Sequence, residues 1–232
     1  MTDSGGEYFF DSREAASSAA AVEIVHRLSN RLNVQTAASL VVSGGTTPAG
    51  CFEELAETSI DWERVHILLS DERWVPPDDE ASNEKLVRDT LLQKHAAAAR
   101  LLPVFSASAT INQRCDEIDQ QIRVLPFPFS CALLGMGEDG HFASLFPDAD
   151  NLGEGLDVDN EQLCIAVSTA ASPHPRVSLT LAALARSDSI VLLMFGDKKR
   201  EVYEQAKVKG SELPVAQLLR QKKAPVNVYW AP

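Results

Sequence analysis

The sequence predicts an α/β fold: a single domain built on an open, mostly parallel sheet with helices on both faces. Three observations carry this expectation. Short apolar runs rich in β-branched residues alternate with segments of helical periodicity from end to end, the pattern of strand, helix, strand units. No internal repeat or low-complexity linker interrupts them, and LPFPF at 125–129 is too short to act as a linker between domains. The 232 residues, 45% hydrophobic and 23% charged, suit one core spanning 1–232 that buries roughly 70% of the unfolded chain's surface.

The elements follow in order. A helix is expected over 12–32, where Val22, Val25, Leu28 and Leu32 recur every three to four residues. Strand 38–42 leads through SGGTTP into a helix at 48–57, then strand 65–69 and a loop rich in Asp and Pro. Ser82 or Asn83 caps a helix over 82–95. A helix at 114–124 precedes a buried strand at 130–134 that runs into GMGEDG, and Phe142 to Leu145 opens another helix. The remainder reads as helix 176–185, strand 190–195, helices 198–208 and 214–220, and strand 226–230.

The charge balance is 21 basic against 33 acidic residues, a net −12, which argues against a nucleic-acid partner. No run of eighteen apolar residues suggests a membrane partner, and the acidic opening MTDSGGEYFFDSREAA lacks the basic flank of an export signal. Cys51, Cys115, Cys131 and Cys164 form no CxxC, so they read as small apolar residues of a reducing cytoplasm and not as metal ligands. The expectation is a cytoplasmic protein.

Ligands of open parallel sheets bind beyond the carboxyl ends of the strands, so three loops that follow strands attract attention. In Ser43-Gly44-Gly45-Thr46-Thr47-Pro48 the glycines let backbone N–H groups approach an anion, the threonines add hydroxyls, and the following helix start adds positive partial charge. Cys51-Phe52 stands where a Walker A motif needs Lys and Ser/Thr, which argues against nucleotide hydrolysis. In Ser70-Asp71-Glu72-Arg73, Arg73 suits bidentate phosphate contact and Asp71 or Glu72 suits sugar hydroxyls. Gly135-Met136-Gly137-Glu138-Asp139-Gly140-His141 matches GxGxxG, a weak dinucleotide signal that here stands far from the chain start. Its informative residue is His141, whose imidazole can take a proton near neutral pH, with Asp139 placed to fix its tautomer. Two further cations are Arg176, opening PRVSLTL, and Lys199, just past the strand that ends at Phe195-Gly196, whereas Lys198 and Arg200 read equally well as helix-surface residues.

SGGTTP, SDERWVP followed by Ser82-Asn83, LLGMGEDGHFASLFP, PRVSLTL and GDKKREVY, in that order, resemble the 6-phosphogluconolactonases, which share a fold with glucosamine-6-phosphate deaminases and isomerases. The resemblance covers nearly the whole chain. It implies a Rossmann-like sheet of the sugar-phosphate isomerase type. It also implies hydrolysis of 6-phospho-D-glucono-1,5-lactone to 6-phosphogluconate in the oxidative pentose phosphate pathway, with no metal and no cofactor. By match to GEDGH, His141 is implied as general base and Asp139 as its supporting carboxylate. Phosphate and substrate contacts are implied for Gly44, Gly45, Thr46, Arg73 and Lys199, with Arg176 beside them; Thr47 completes the loop. Thr46 and Phe142 stand where Ser and Thr are commoner, and the chain stops at WAP.

The chemistry suits these residues. A δ-lactone is an activated ester that needs an attacking water, a base and donors for the developing oxyanion; no GxSxG marks a serine nucleophile. A deaminase or isomerase of this fold needs a Glu where Phe146 stands before Pro147. A non-catalytic sugar-phosphate sensor has no need of Asp139 and His141, and an NAD(P)-linked oxidoreductase rests on GMGEDG alone. The oligomeric state is not written in the sequence; a monomer is compatible with it.

Overall fold

The computed structural model describes residues 5–170 and 172–232; Met1 to Ser4, the start of the acidic opening stretch, and Ala171 lie outside the described residues. The chain runs β1 (Glu7–Phe9), α1 (Arg13–Val34), β2 (Ala38–Val42), α2 (Ala49–Glu57), β3 (Val65–Leu69), β4 (Asp71–Arg73), α3 (Asn83–Thr90), β5 (Arg100–Leu101), α4 (Ile111–Val124) and β6 (Cys131–Leu134). It continues through α5 (Leu152–Leu156), β7 (Cys164–Val167), β8 (Arg176–Leu179), α6 (Leu181–Leu184), β9 (Ile190–Phe195), α7 (Asp197–Lys207), α8 (Pro214–Arg220) and β10 (Val226–Ala231).

Seven strands form one sheet in the order β1-β10-β9-β6-β2-β3-β5, every pair parallel. β2 and β6 are buried at every position, which is why they read as apolar runs, interrupted only by Ser39, whose hydroxyl donates to Pro126 C=O at 2.8 Å: a parallel strand covered on both faces has no solvent side on which to alternate. α1 packs across β10, β9, β2 and β6 and against α2, while α7 packs on β9 and α8. The chain steps from β2 outward through β3 to β5, then returns and steps the other way through β6, β9 and β10. The order therefore reverses between β2 and β6, and a crevice opens beyond their carboxyl ends.

Five expectations change. The 142–145 segment forms turns and no helix: Ala143 sits at φ +49°, a left-handed conformation that ends helical geometry. GMGEDG thus lacks the helix on which a dinucleotide site depends. Residues 176–179 are strand and not helix; only Leu181–Leu184 is helical, capped by the Thr180 hydroxyl accepting from Ala183 N–H at 3.2 Å. β8 pairs antiparallel with β4 on one side and β7 on the other, forming a second sheet in the order β4-β8-β7, so Asp71–Arg73 is strand and not loop. Two-sided pairing with distant strands outweighs local preference here. α3 stops at Thr90, and a 3₁₀ turn over Lys94–Ala98 follows, beginning at Lys94 with φ +49°. In α1 the buried stripe runs through Ala16, Ala20, Ile24, Leu28 and Leu32, while Val22 is 69% exposed; small alanines admit the close approach of α2 and the sheet.

Candidate active site

Three loops converge on the crevice because β2, β3 and β6 are neighbours. After β2, Gly45 takes φ +84°, open to glycine without strain. Among the described residues the N–H groups of Gly44, Gly45, Thr46 and Thr47 donate to no acceptor of the chain, leaving a cluster of oriented donors beside the start of α2. Gly44 has a second reason to be glycine: a Cβ there would collide with the Asn83 side-chain oxygen.

β4 sends alternate side chains to opposite sides. Asp71 and Arg73 reach the crevice, whereas Glu72 turns away and is 1% exposed. Its Oε1 accepts the N–H groups of Arg73 and Asn83, each at 2.7 Å, and its Oε2 accepts Glu84 N–H at 2.7 Å and Ser82 Oγ at 3.0 Å. Burial pushes the Glu72 pKa up against the pull of those four donors. Glu72 therefore caps α3 and does not serve sugar hydroxyls. The Arg73 guanidinium donates to Ala81 C=O at 2.7 Å and to Asn83 Oδ1 at 3.0 Å, while its buried Nε has no partner among the described residues. Asn83 in turn donates to the Asp71 carbonyl at 2.8 Å. One amide thus ties Arg73 to the β4 backbone and lies close beside Gly44.

After β6 the chain closes a tight turn, with Gly137 N–H donating to His141 C=O at 2.9 Å and Gly140 N–H to Gly137 C=O at 3.1 Å. Gly140 takes φ +80°, a Cβ there would crowd Leu213, and a Cβ on Gly137 would collide with the His141 ring. His141 Nδ1 lies 2.6 Å from Asp139 Oδ1. A carboxylate accepts, so Nδ1 carries the hydrogen and Nε2 is the free basic nitrogen. The imidazole packs on Phe146 with centroids 4.2 Å apart.

Arg176 enters from the start of β8, directly opposite Arg73 in the β4–β8 register. Its Nε and one terminal nitrogen donate to Ser172 Oγ at 3.1 and 3.0 Å, its other nitrogen is 3.5 Å from Asp71 Oδ2, and it lies over the Phe146 ring at 5.6 Å. Burial lowers its pKa, with Asp71 opposing and Arg73 adding to the shift. Lys199 stands in the first turn of α7, beyond Gly196 at φ +89°. Burial lowers its pKa as well. Lys198 points elsewhere, exposed and 3.1 Å from Glu138.

Gly44, Gly45, Thr46, Thr47, Asp71, Arg73, His141, Arg176 and Lys199 all line one cavity of about 400 Å³, and Asp139 braces His141 from behind. Asp71 reaches the cavity with its oxygens already engaged: Oδ1 accepts Ser70 Oγ at 3.0 Å, and Oδ2 accepts Ser144 Oγ at 2.6 Å and faces Arg176. Ser43, Asn83, Met136, Ala143 and Phe146 also line the cavity, although the sequence does not mark them as binding groups. Asn83 carries a signal, but its reading as a helix cap already accounts for it. A larger cavity of about 740 Å³ lies at the opposite, amino-terminal edge of β9 and β10 and contains none of these groups. Among the described residues no three His, Cys, Asp or Glu side chains cluster as metal ligands, and no helix is long and apolar enough to cross a membrane.

Residues 11–230 match the family model described as glucosamine-6-phosphate isomerases/6-phosphogluconolactonase. The chain is 36% identical over 231 residues to a 6-phosphogluconolactonase of Rhizobium meliloti, covering 99% of this chain and 100% of that protein. It is 39% identical over 224 residues to one of Caulobacter vibrioides, covering 96% and 95%. The crystal structure of a 6-phosphogluconolactonase from Shewanella baltica superposes with a TM-score of 0.94 at 37% identity, covering both chains fully. A parallel sheet whose order reverses between β2 and β6, loops in the family's order and this full-length similarity agree: the chain belongs to the glucosamine-6-phosphate isomerase/6-phosphogluconolactonase family.

Proposed function

We propose that the chain hydrolyses 6-phospho-D-glucono-1,5-lactone to 6-phospho-D-gluconate, with His141 as general base. The observation that carries the mechanism is the 2.6 Å contact between His141 Nδ1 and Asp139, in a cavity that also holds three cationic side chains. Water attacks the lactone carbonyl carbon while His141 Nε2 takes its proton. The tetrahedral intermediate collapses with cleavage of the ring C–O bond, and the leaving ring oxygen takes the proton back from the imidazolium. Asp139 holds the tautomer and stabilises the transient positive charge. A positioned base of this kind contributes about 10²- to 10⁴-fold.

The phosphate is held by the Gly44, Gly45, Thr46 and Thr47 amides and hydroxyls with Arg73 and Lys199, and Arg176 adds a third cation. Each cation about 4 Å from the phosphate gains on the order of 4 kcal/mol at an effective dielectric of 20. In a chain of net charge −12, this local concentration of positive charge is what admits an anionic substrate. Four unbridged buried thiols suit a reducing cytoplasm. Phe146 transfers no proton, which disfavours ring-opening deamination.

The test follows freshly generated lactone with and without protein, corrected for spontaneous hydrolysis and repeated after exhaustive chelation. Acceleration that survives chelation supports this reading. Ammonia release from glucosamine 6-phosphate at a comparable rate would replace it with deamination.

A further inference from the structure

We infer that Ser144 is a positioning residue: clamped between Asp71 and Ser178, it fixes the turn from His141 to Phe146 and ties that turn to Arg176. The inference rests on the hydrolase reading above, because it concerns how His141 is held.

The turn has no regular structure to hold it. Residues 141–146 form neither helix nor strand, and Ala143 occupies the left-handed region without being glycine. A non-glycine residue stays there only when its surroundings over-determine it. Ser144, the next residue, supplies that constraint and is fully buried. Its N–H donates to Ser178 Oγ at 3.1 Å, and its hydroxyl donates to Asp71 Oδ2 at 2.6 Å. Asp71 and Ser178 face each other in the β4–β8 register, so both anchors belong to one rigid strand pair.

The same carboxylate oxygen that accepts Ser144 also faces Arg176 at 3.5 Å, and Asp71 accepts Ser70 Oγ through its other oxygen. Three donors of the chain therefore engage Asp71, which makes it an organiser of the site. Phe146 closes the arrangement, with its ring packed against His141 and beneath Arg176. Loss of the Ser144 hydroxyl removes one of the two anchors and loosens the turn next to the base while leaving the phosphate loop after β2 and Lys199 untouched. Loss of the Asp71 charge loosens the turn and also removes the carboxylate that faces Arg176.

Steady-state hydrolysis, calorimetric binding of 6-phosphogluconate and thermal melting of Ser144→Ala and Asp71→Asn test this. Ser144→Ala is expected to lose about tenfold in kcat, within the range that a misplaced catalytic group costs, with KM and the product Kd within twofold of the parent. Asp71→Asn is expected to lose kcat to a similar extent and also to raise KM several-fold. If Ser144→Ala does not fold, Ser144→Cys, which keeps the shape with a weaker donor, carries the same expectation. A kcat within twofold of the parent overturns the inference, as does a Ser144 variant that loses turnover and product affinity in equal measure. A parent protein inactive on the lactone rejects the hydrolase reading instead; an active parent with an unaffected Ser144 variant rejects this inference alone.

Discussion

One carboxylate oxygen, Oδ1 of Asp139, receives both the His141 ring nitrogen Nδ1 at 2.6 Å and the His141 backbone N–H at 3.2 Å. The two contacts fix the ring's tautomer and its direction at once, because the backbone bond fixes the carboxylate that the ring must face.

Asp139→Asn keeps the shape but offers an amide that can donate to Nδ1 and so favour the wrong tautomer. We expect turnover to fall by about 10²-fold or more with 6-phosphogluconate binding retained, and His141→Asn to fall by about 10²- to 10⁴-fold. Near-normal kcat in His141→Asn would remove the base from the mechanism.

The phosphate contacts predict substrate preference. Cations and amides gathered for a phosphate are left unpaired by glucono-δ-lactone, so its kcat/KM should be far lower despite an identical carbonyl. Lys199→Ala should shrink that preference. Lys198→Ala should not, because Lys198 faces Glu138 outside the cavity. Equal efficiency of the parent on both lactones would overturn the phosphate assignment.

Burial lowers the Lys199 pKa, so in the free protein its amine loses charge at a lower pH than an ordinary lysine. Affinity for 6-phosphogluconate should therefore weaken on the alkaline side, and Lys199→Arg, whose charge persists, should flatten that loss. Identical alkaline profiles for the two proteins would show that Lys199 does not meet the phosphate.

Gly44 contacts the Asn83 side chain that holds Arg73. Gly44→Ala must displace Asn83, so it should raise KM and weaken 6-phosphogluconate binding at least several-fold while leaving kcat less affected. Unchanged product affinity in calorimetry would argue against the contact.

Glu72 should report on stability and not on chemistry. Its carboxylate accepts four hydrogen bonds, and in Glu72→Gln the amide NH₂ faces donors, leaving at least one buried N–H unmatched at a cost of about 1–3 kcal/mol. The raised pKa means that the folded state holds this proton more tightly than the unfolded state. Glu72's contribution to stability therefore grows as pH falls through the folded pKa and is lost as pH rises through it. Urea melts of parent and variant at several pH values read both effects; a variant as stable as the parent would show that the four donors find other partners.

The strands β2, β3 and β9 and the helix starts at Ser12 and Ser82 were legible in the amino-acid sequence because each depends on neighbours in the chain: mainly apolar runs for two-sided burial, a hydroxyl for a helix cap. The candidate residues were legible for the same reason, since loops after parallel strands face one crevice and glycine, threonine and histidine at those points carry recognisable chemistry. What only the tertiary structure decided depends on partners far apart in sequence. Residues 176–179 became strand because β4, about a hundred positions earlier, and β7 flank them. Glu72 turned to α3 while Asp71 turned to Ser144, 73 residues away, because alternation along a strand sends neighbouring side chains to opposite sides. Asn83 found Arg73 and Gly44 only once α3 had docked beside β4. Local sequence specifies which groups stand at a strand's end; packing between strands from distant regions of the chain determines which way each group faces and which partners it finds.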